Sequence, residues 1–495
     1  MKHLFTLRQA SLAALCAVAL SACNKTPESA TPLGASVEQD GKGPRTYGPL
    51  DFLGPAGGSN TVAQSDALAF NQPSPALSGD EQQYHTLGKG GFGRIFTLQE
   101  LAPLWNNQQC SGCHVNGGRS PLRPTPQLLF RVSIPGVGAD GGPNPVPGFG
   151  DQIQPVAIVN GARGLSIEGR VTTSYVEQLK SFVDGQAYSL RVPTYTPSAT
   201  LPFNVMISPR IGGQVAGLGL LEAVDAKDIE DLADEKDKDR DGISGRPNYV
   251  WDVAIQKGVI GRFGWKANQP SLLQQAAAAY NGDLGITSPF FPLESNVPGG
   301  GRNKKGPKVH GKTSNLSNLS AVAVMLNNSA AISGPTDIDA QTLLSTAFYT
   351  GTLGVPATRN STDAQVLAGQ ALFVSAKCAA CHTPVLETGS SASYGLGGQT
   401  IHPYTDLLLH DMGPGLADGR PDFQATGSEW RTAPLWGLGL SATTSNHTNY
   451  LHDGRARNVM EAIMWHGGEG DVSRRYVEQL SETDRDALVA FVKSL

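Results

Sequence analysis

The sequence predicts a mainly α-helical protein of two domains connected by long loops, with little β structure. At 495 residues the chain is too long for a single small core, so more than one domain is expected. Only 16% of its residues are charged, whereas glycine (59) and proline (33) are abundant, a balance typical of a folded, loop-rich chain. The net charge is −5, and no basic stripe interleaved with aromatic residues occurs in the sequence, which argues against nucleic-acid binding.

The prediction of α-helices rests on three segments. Residues 97–101 and 370–373 have the apolar spacing of helices, and each precedes one of two cysteine motifs. Near the C-terminus, Ser481 can cap a last helix that buries Leu488. The glycine pattern G-x-G-x-x-G at residues 88–93 follows a polar run instead of a strand, so we predict a turn there and no dinucleotide site.

The N-terminal segment has the pattern of an export signal. Lys2 and Arg8 precede the apolar residues 12–20, a run too short to span a bilayer comfortably. The run is followed by small residues and then Cys23, an arrangement that resembles a bacterial lipoprotein box. We therefore predict a signal peptide over residues 1–22 and lipidation of Cys23, with a plain cleaved signal as the alternative.

The residues after this cysteine predict the cellular location of the protein. Asn24 is not an aspartate, and by resemblance to lipoprotein sorting signals this favours the outer membrane over the inner one. Residues 23–75 are polar and rich in glycine, proline and serine, which predicts a flexible tether. The expected protein is a periplasm-facing lipoprotein that contacts the membrane through its lipid anchor.

Four of the six cysteines form two C-x-x-C-H motifs. The first consists of Cys110, Cys113 and His114, and the second of Cys378, Cys381 and His382. Thiols three residues apart on one helical turn can each add to one vinyl group of a haem, and the adjacent histidine can then bind the iron. The sequence therefore predicts two covalently bound c-type haems.

A redox-active dithiol and zinc ligation are the alternatives for the same residues. Two motifs that use every cysteine outside the signal segment, in a chain with an export signal, favour haem over both. The predicted architecture is two cytochrome c-like haem domains. The N-terminal haem domain covers residues 76–340, and a smaller cytochrome c domain covers residues 355–495.

The neighbourhoods of the motifs resemble a known protein family. The similar segments are residues 104–119, 210–222, 262–266, 285–288, 410–415 and 451–456. They resemble the bacterial di-haem c-type oxidoreductases, sometimes labelled thiol oxidoreductase-like, over nearly all of the chain after residue 78. This family is distantly related to di-haem cytochrome c peroxidases and to the di-haem enzyme that matures methylamine dehydrogenase. The resemblance implies that one haem binds peroxide or oxygen while the other relays or stores electrons.

The sixth ligand of each iron decides which haem can react. For the second haem, His466 is the first candidate and Met412 the alternative, which could also be a packing residue. The related peroxidases have a methionine at the point that matches His466, so a histidine there departs from their pattern. We expect His452 to bond a propionate or the backbone. The sequence offers no convincing distal ligand for the first haem, which is compatible with an open face.

Two further residues are candidates for catalysis. Trp265 can be aligned with the tryptophan segment that lies between the haems of the related peroxidases, where an indole would shorten the electron path; a core aromatic is the alternative. Asp283, shortly downstream, is a candidate for the carboxylate that manages protons at an open haem.

Three acidic residues alternate along a short loop. Asp237, Asp239 and Asp241 precede Gly242, the spacing that a calcium loop uses, but Asn248 stands where an EF-hand has its twelfth-position glutamate. A calcium-binding loop and a solvated charged loop are the two alternative interpretations.

These observations favour an exported di-haem oxidoreductase of the peroxidase type. The expected electron donor is a small periplasmic carrier, a cytochrome or a cupredoxin, and the mildly acidic surface suits a cationic one. A pure electron-transfer cytochrome with two six-coordinate irons is the first alternative. An oxygenase or maturation enzyme acting on an organic or protein substrate is the second.

Overall fold

Short strands and helices alternate along the chain. The computed structural model describes residues 54–98, 100–101, 104–122, 127–157, 167–294, 336–390 and 393–495, so the predicted signal peptide, Cys23 and the first part of the tether lie outside the described residues. The strands are β1 Thr61–Val62, β2 Leu104–Trp105, β3 Leu128–Val137, β4 Pro143–Asn144, β5 Val156–Ala157, β6 Val171–Ser181, β7 Ala187–Pro197, β8 Met206–Ile211, β9 Tyr249–Asp252, β10 Lys257–Ile260, β11 Val355–Pro356, β12 Leu386–Glu387, β13 Thr400–Ile401, β14 Leu409–Asp411 and β15 Glu429–Arg431. The α-helices are α1 Gly79–Gly93, α2 Leu218–Ala223, α3 Ala226–Leu232, α4 Leu272–Leu284, α5 Ala340–Gly351, α6 Ala364–Ser375, α7 Cys378–Cys381, α8 Ser441–Ser445, α9 Val459–Met464, α10 Asp471–Glu478 and α11 Glu482–Ser494.

The prediction of a mainly α-helical, cytochrome c-like fold with little β structure was wrong. The structure is 32% helical and 21% strand, and the fifteen strands of the described residues form several small sheets. Strands β3, β4 and β8 form a three-stranded sheet, and the others pair two by two. The largest pair is β6 with β7, which run antiparallel over eleven residues each.

This β6–β7 ribbon has sequence signals that explain it. Its strands are rich in valine, threonine and tyrosine, residues that favour extended backbone. Between the strands, Asp184 and Gly185 form the turn, and Gly185 has a φ of +86°, which glycine adopts without strain. An Asp-Gly pair flanked by β-branched residues is a hairpin signal, and a helical interpretation of the chain does not account for it.

Helices α1 and α11 each begin with a serine cap, and the cap at Ser481 was predicted. Ser78 forms a capping box with Glu81 at the start of α1, and the Ser481 hydroxyl accepts a hydrogen bond from the Asp484 amide at the start of α11. Residues 370–373 lie within α6, as predicted. The helix predicted over residues 97–101 was wrong for the four of these residues that the structure describes: Thr97, Leu98, Glu100 and Leu101 lie outside the helices, and the amides of Glu100 and Leu101 both donate to the Thr97 carbonyl.

The glycine-rich residues 88–93 belong to α1, so the turn predicted there was also wrong. Glycine is needed here because of a neighbour: a Cβ on Gly88 would lie 1.8 Å from the carbonyl oxygen of Ser345 in α5. The glycines thus allow two helices to approach closely, a requirement that comes from tertiary packing.

Residues 54–75, which we assigned to the tether, pack against the rest of the protein. Strand β1 pairs in parallel with β11, and Ala56 and Phe70 are almost fully buried. The flexible tether therefore does not extend over these residues. Among the helices that the structure describes, none is long and apolar enough to cross a membrane.

The apolar core is shared between the two halves of the chain. One cluster combines Phe182 and Leu190 of the ribbon region with Phe373 and Phe491 from the C-terminal half. A second cluster combines residues of α2 with Leu407 and other C-terminal residues. Cys378 of the second motif packs against the first of these clusters. Cys110 of the first motif packs instead against two clusters formed by residues between positions 92 and 353.

Candidate haem centres

The first motif opens into the larger of two adjoining cavities. Cys110–Gly112 form a short 3₁₀ turn, and the amides of Cys113 and His114 both donate to the Cys110 carbonyl. This turn directs all three side chains of the motif to a cavity of about 270 Å³, which we call the N-terminal cavity. The two cysteines and the histidine predicted to hold the first haem thus line one space.

His114 is oriented by a residue far along the chain. Its Nδ1 lies 2.7 Å from the carbonyl oxygen of Gly213, so Nδ1–H donates and Nε2 is left for a metal. Burial lowers the pKa of His114, which favours the neutral imidazole that iron binds. Gly213 follows β8, within the segment 210–222 that resembles the di-haem family.

The N-terminal cavity is lined by an excess of arginine. Its arginines are Arg119, Arg131, Arg210, Arg262 and Arg431, and its acids are Asp283 and Asp422. Arg119 Nε and Arg262 Nε are buried and have no hydrogen-bond acceptor among the described residues, whereas Arg210 Nη2 lies 3.6 Å from the Asp418 carboxylate. A haem carries two propionate carboxylates that would supply such acceptors. Thiol positions, histidine orientation and unpaired guanidinium nitrogens together fit a c-type haem.

Asp283 and Trp265, the two candidates for catalysis, both line the N-terminal cavity. The Asp283 carboxylate accepts a 3.0 Å hydrogen bond from Gln152 and lies 3.7 Å from Arg131 Nη2. Burial raises the pKa of Asp283, and Arg131 opposes that rise. A carboxyl group in this setting can hold a proton above the usual range of an aspartate.

Trp265 borders both candidate centres. Its indole lines the N-terminal cavity, and it also packs against the apolar cluster that surrounds the second motif. The indole Nε1 donates a 2.8 Å hydrogen bond to the carbonyl of Ile211, which fixes the ring. The structure therefore places one aromatic ring against the surroundings of both motifs.

The second motif has the same histidine arrangement. Cys378–Cys381 form α7, and the next residue, His382, has its Nδ1 2.9 Å from the Tyr404 carbonyl, which again leaves Nε2 for a metal. Burial is the main reason why the pKa of His382 is lowered to about 4, and the charge of His466 contributes to this lowering.

His466 and Met412 are neighbours. His466 Nδ1 lies 2.7 Å from the Ala462 carbonyl, so its Nε2 also points away from the backbone. A Cβ on Gly470 would lie 3.0 Å from His466 Cβ and 3.1 Å from Met412 Cε, so both side chains meet at this glycine. The structure thus brings both candidate sixth ligands to one place.

The surroundings of the cysteines disfavour a redox dithiol or a zinc site. Burial raises the pKa of Cys110 and of Cys378 to about 12, so neither is a ready thiolate. Cys381 does lie within 4.8 Å of Asp406 and His410. However, both ring nitrogens of His410 are engaged, Nε2 with Asp406 at 2.8 Å and Nδ1 with Glu469 at 2.7 Å. A zinc ion would have to displace one of these carboxylates.

A buried ionic cluster between the two halves was missed by sequence reasoning. Lys266 is fully buried, and its ammonium donates to Asp418 and to the carbonyls of residues 420 and 426. It also lies 4.5 Å from the centroid of Trp430, against which His452 stacks at 3.8 Å. His452 Nε2 makes no hydrogen bond to the part of the chain that the structure describes, and the bond to a haem propionate stays a prediction. In the sequence, the available indication of this cluster was that Lys266 directly follows the candidate residue Trp265.

The acidic loop brings its three carboxylates together. Oxygen atoms of Asp237, Asp239 and Asp241 lie within 4.8 Å of one another. Lys377 Nζ lies 3.9 Å from Asp241 Oδ2, and Asn248 is buried with its amide bonded elsewhere, so neither completes an EF-hand. Calcium binding at this loop stays a prediction.

Comparison with known proteins identifies a family that the chain matches. The profile of the family described as "Di-haem oxidoreductase, putative peroxidase" matches residues 138–495, which include the second motif and begin after the first. No curated protein has significant sequence similarity to the chain. Hydrazine synthase from Kuenenia stuttgartiensis, pressurized with 20 bar xenon, is similar at 17% identity over 35% of this chain and 62% of that chain, with a TM-score of 0.22. That likeness is too slight to carry an argument.

Proposed function

Because the chain belongs to the di-haem oxidoreductase family, we propose that it is an exported c-type enzyme of the peroxidase type. In this proposal a small oxidant reacts at the centre of Cys110, Cys113 and His114. Electrons arrive through the centre of Cys378, Cys381 and His382. When bound, a c-type haem supplies an iron that exchanges electrons and, where its sixth position is open, binds a small oxidant.

A difference between the two centres carries this proposal. Among the described residues that line the N-terminal cavity, His114 is the sole histidine, and no methionine or lysine is present. At the second motif, His466 and Met412 meet at Gly470, and Met412 packs against the apolar cluster that also contacts Cys378. Within the described residues, the first centre thus offers no histidine, methionine or lysine as a sixth ligand, and its Tyr280 hydroxyl is already bonded to Thr346. The second centre offers two candidates, and this difference supports a reactive site and a relay site.

The other residues of the N-terminal cavity have roles that follow from their positions. The Gly213 carbonyl holds the His114 ring, and the arginines of the cavity balance carboxylate charge. Reduction of peroxide to two waters consumes two electrons and two protons, so a proton donor is required. Asp283 is suited to this because burial raises its pKa and Gln152 fixes its carboxylate.

Trp265 is proposed as the relay between the centres. Its indole adjoins both, and an aromatic ring shortens the distance that an electron must cross through saturated side chains. The expected donor remains a small periplasmic cytochrome or cupredoxin. Cys23 is proposed as the lipid attachment site, so a Cys23→Ser variant should leave the membrane fraction for the soluble periplasmic one.

Spectroscopy and turnover test the proposal together. We expect purified protein to retain its pigment in acidic acetone, because thioether bonds hold the haem, and to show one high-spin and one low-spin signal in electron paramagnetic resonance. Peroxide should be consumed when a reduced small cytochrome is supplied. Two low-spin irons that bind no added ligand in any oxidation state would support the pure electron-transfer cytochrome instead. Pigment that dissolves in the acetone would disprove covalent attachment.

A further inference from the structure

A second, smaller cavity adjoins the N-terminal cavity. This side cavity measures about 90 Å³, and its walls include Gln152, Trp251, Ala278 and Phe423. Helix α4 separates the two spaces, because Ala276 and Ala279 line the N-terminal cavity whereas Ala278 lines the side cavity.

The two cavities share part of their lining. Arg131, Asn268, Gln269 and Asp422 border both of them. The four shared residues are polar, and none of them belongs to a cysteine motif or to a helix. The partition between the cavities at this point is therefore not formed by α4, and it includes the long side chains of Arg131 and Gln269, which can rotate.

The size of the side cavity limits what it can hold. Its volume of about 90 Å³ well exceeds the roughly 10–15 Å³ that one water molecule needs, and it is about a third of the 270 Å³ of the N-terminal cavity, which we assign to a haem. Its charged residues are three aspartates and two arginines, an excess of negative charge that disfavours anions. A small neutral molecule fits both limits.

Two amide oxygens in the side cavity need a hydrogen-bond donor. Gln152 Oε1 and Gln269 Oε1 are buried and have no partner within the described residues. Gln152 is 1% exposed, and its amide nitrogen is already bonded to the Gly282 carbonyl and the Asp283 carboxylate. A solute with hydroxyl groups would satisfy both oxygens and would arrive beside the proposed proton donor.

The outer end of the side cavity has a strained residue. Phe423 has a φ of +57°, a region that bulky side chains rarely adopt. Its ring packs on the β3–β4 turn, where a Cβ on Gly142 would lie 3.2 Å from Phe423 Cζ. Asp140 belongs to the same turn and lines the cavity, and its neighbours Ala139 and Gly141 are exposed.

From these observations we propose that the side cavity is the entry route for a small neutral oxidant with hydroxyl donors, of the size of hydrogen peroxide. The inference rests on the proposed function, since it requires an open iron in the N-terminal cavity. The solute enters beside Phe423, exchanges hydrogen bonds with Gln152 and Gln269, and passes Arg131 into the N-terminal cavity. Larger organic substrates are excluded by size.

Binding kinetics of carbon monoxide to the fully reduced holoprotein test this route. Ala278→Phe places a ring in the side cavity, and Ala278→Ser is the matched control that leaves it open. Because an obstructed route slows entry and exit alike, we expect Ala278→Phe to lower the association and dissociation rates by about tenfold each, with an unchanged dissociation constant. Ala278→Ser should keep wild-type rates. Phe423→Gly, which fits the positive φ and removes the ring, should raise both rates.

Three results would count against the route. Wild-type rates in a folded Ala278→Phe protein, as judged by its thermal midpoint and absorption spectrum, would overturn it while leaving the proposed function intact. If that variant does not fold, unchanged rates in Phe423→Gly overturn it instead. A wild-type protein that binds no carbon monoxide in any oxidation state would overturn both the proposed function and the route, because no open iron would be served.

Discussion

Removal of the Lys266 ammonium should destabilise the protein by several kcal/mol. This side chain is fully buried, and its three hydrogen bonds have lengths of 2.9, 2.8 and 2.7 Å, to Asp418 and to the carbonyls of residues 420 and 426. A Lys266→Met substitution keeps the volume of the stem but leaves two buried carbonyls unpaired. It also leaves Asp418, whose side chain is 2% exposed, with weaker compensation.

The expected loss of stability in Lys266→Met is the balance of lost hydrogen bonds and an avoided desolvation cost. Hydrogen bonds to a charged donor contribute about 1.5–3 kcal/mol each, and burial of the ammonium costs several kcal/mol. Asp418 still keeps Arg210 at 3.6 Å. Breaking a buried ion pair by removing one partner generally costs about 3–5 kcal/mol, and we expect Lys266→Met to fall in that range.

Urea unfolding of the holoprotein, followed by circular dichroism and by haem absorption, measures this change. Lys227→Met is the matched control, because Lys227 has the same chemistry in an ion pair with Asp231 but its side chain is 77% exposed. The control should leave the midpoint unchanged, since exposed pairs contribute little. A loss of less than about 1 kcal/mol in Lys266→Met would refute the reasoning that this ammonium holds the two halves together.

Three further predictions concern single residues. His466→Ala should convert the low-spin signal of the second centre to high spin while Met412→Leu leaves it unchanged, and the reverse pattern would assign the ligand to Met412. Asp283→Asn should lower peroxide turnover by about 10²–10⁴-fold at unchanged haem content, so wild-type turnover would remove its proton role. Burial raises the pKa of Glu168 to about 8 from 4.5, so the folded state binds more protons between these values and stability falls as pH rises through that window. Glu168→Gln should therefore be more stable than wild type by about 1–3 kcal/mol at pH 9, allowing for partial exposure, and equal to it near pH 4; parallel pH profiles in urea unfolding would contradict this.

Features that depend on neighbouring residues in the chain could be predicted from the sequence. The cap of α11 needs only Ser481 and Asp484, three residues apart, and the two cysteine motifs need only the spacing of their own turns. The candidates Trp265 and Asp283 came from resemblance, and both line the N-terminal cavity.

Features that depend on distant partners could not be predicted in the same way. The carbonyl that orients His114 lies 99 residues away in the sequence, and no local pattern identifies it. The glycines of α1 indicated a turn locally, whereas they lie in a helix in which Gly88 packs closely on Ser345 of α5. Strand pairing such as β1 with β11 joins residues almost 300 positions apart, which periodicity cannot show.

The β6–β7 ribbon has a consequence for how the protein denatures. It delivers Phe182 and Leu190 into a cluster with Phe491, and Arg191 of β7 donates to the carbonyls of residues 454 and 455. Separating the halves would expose apolar surface on both, so neither is an independent thermodynamic unit. Heating should therefore melt both halves in one cooperative transition, and a chain cleaved in the ribbon turn should lose both together.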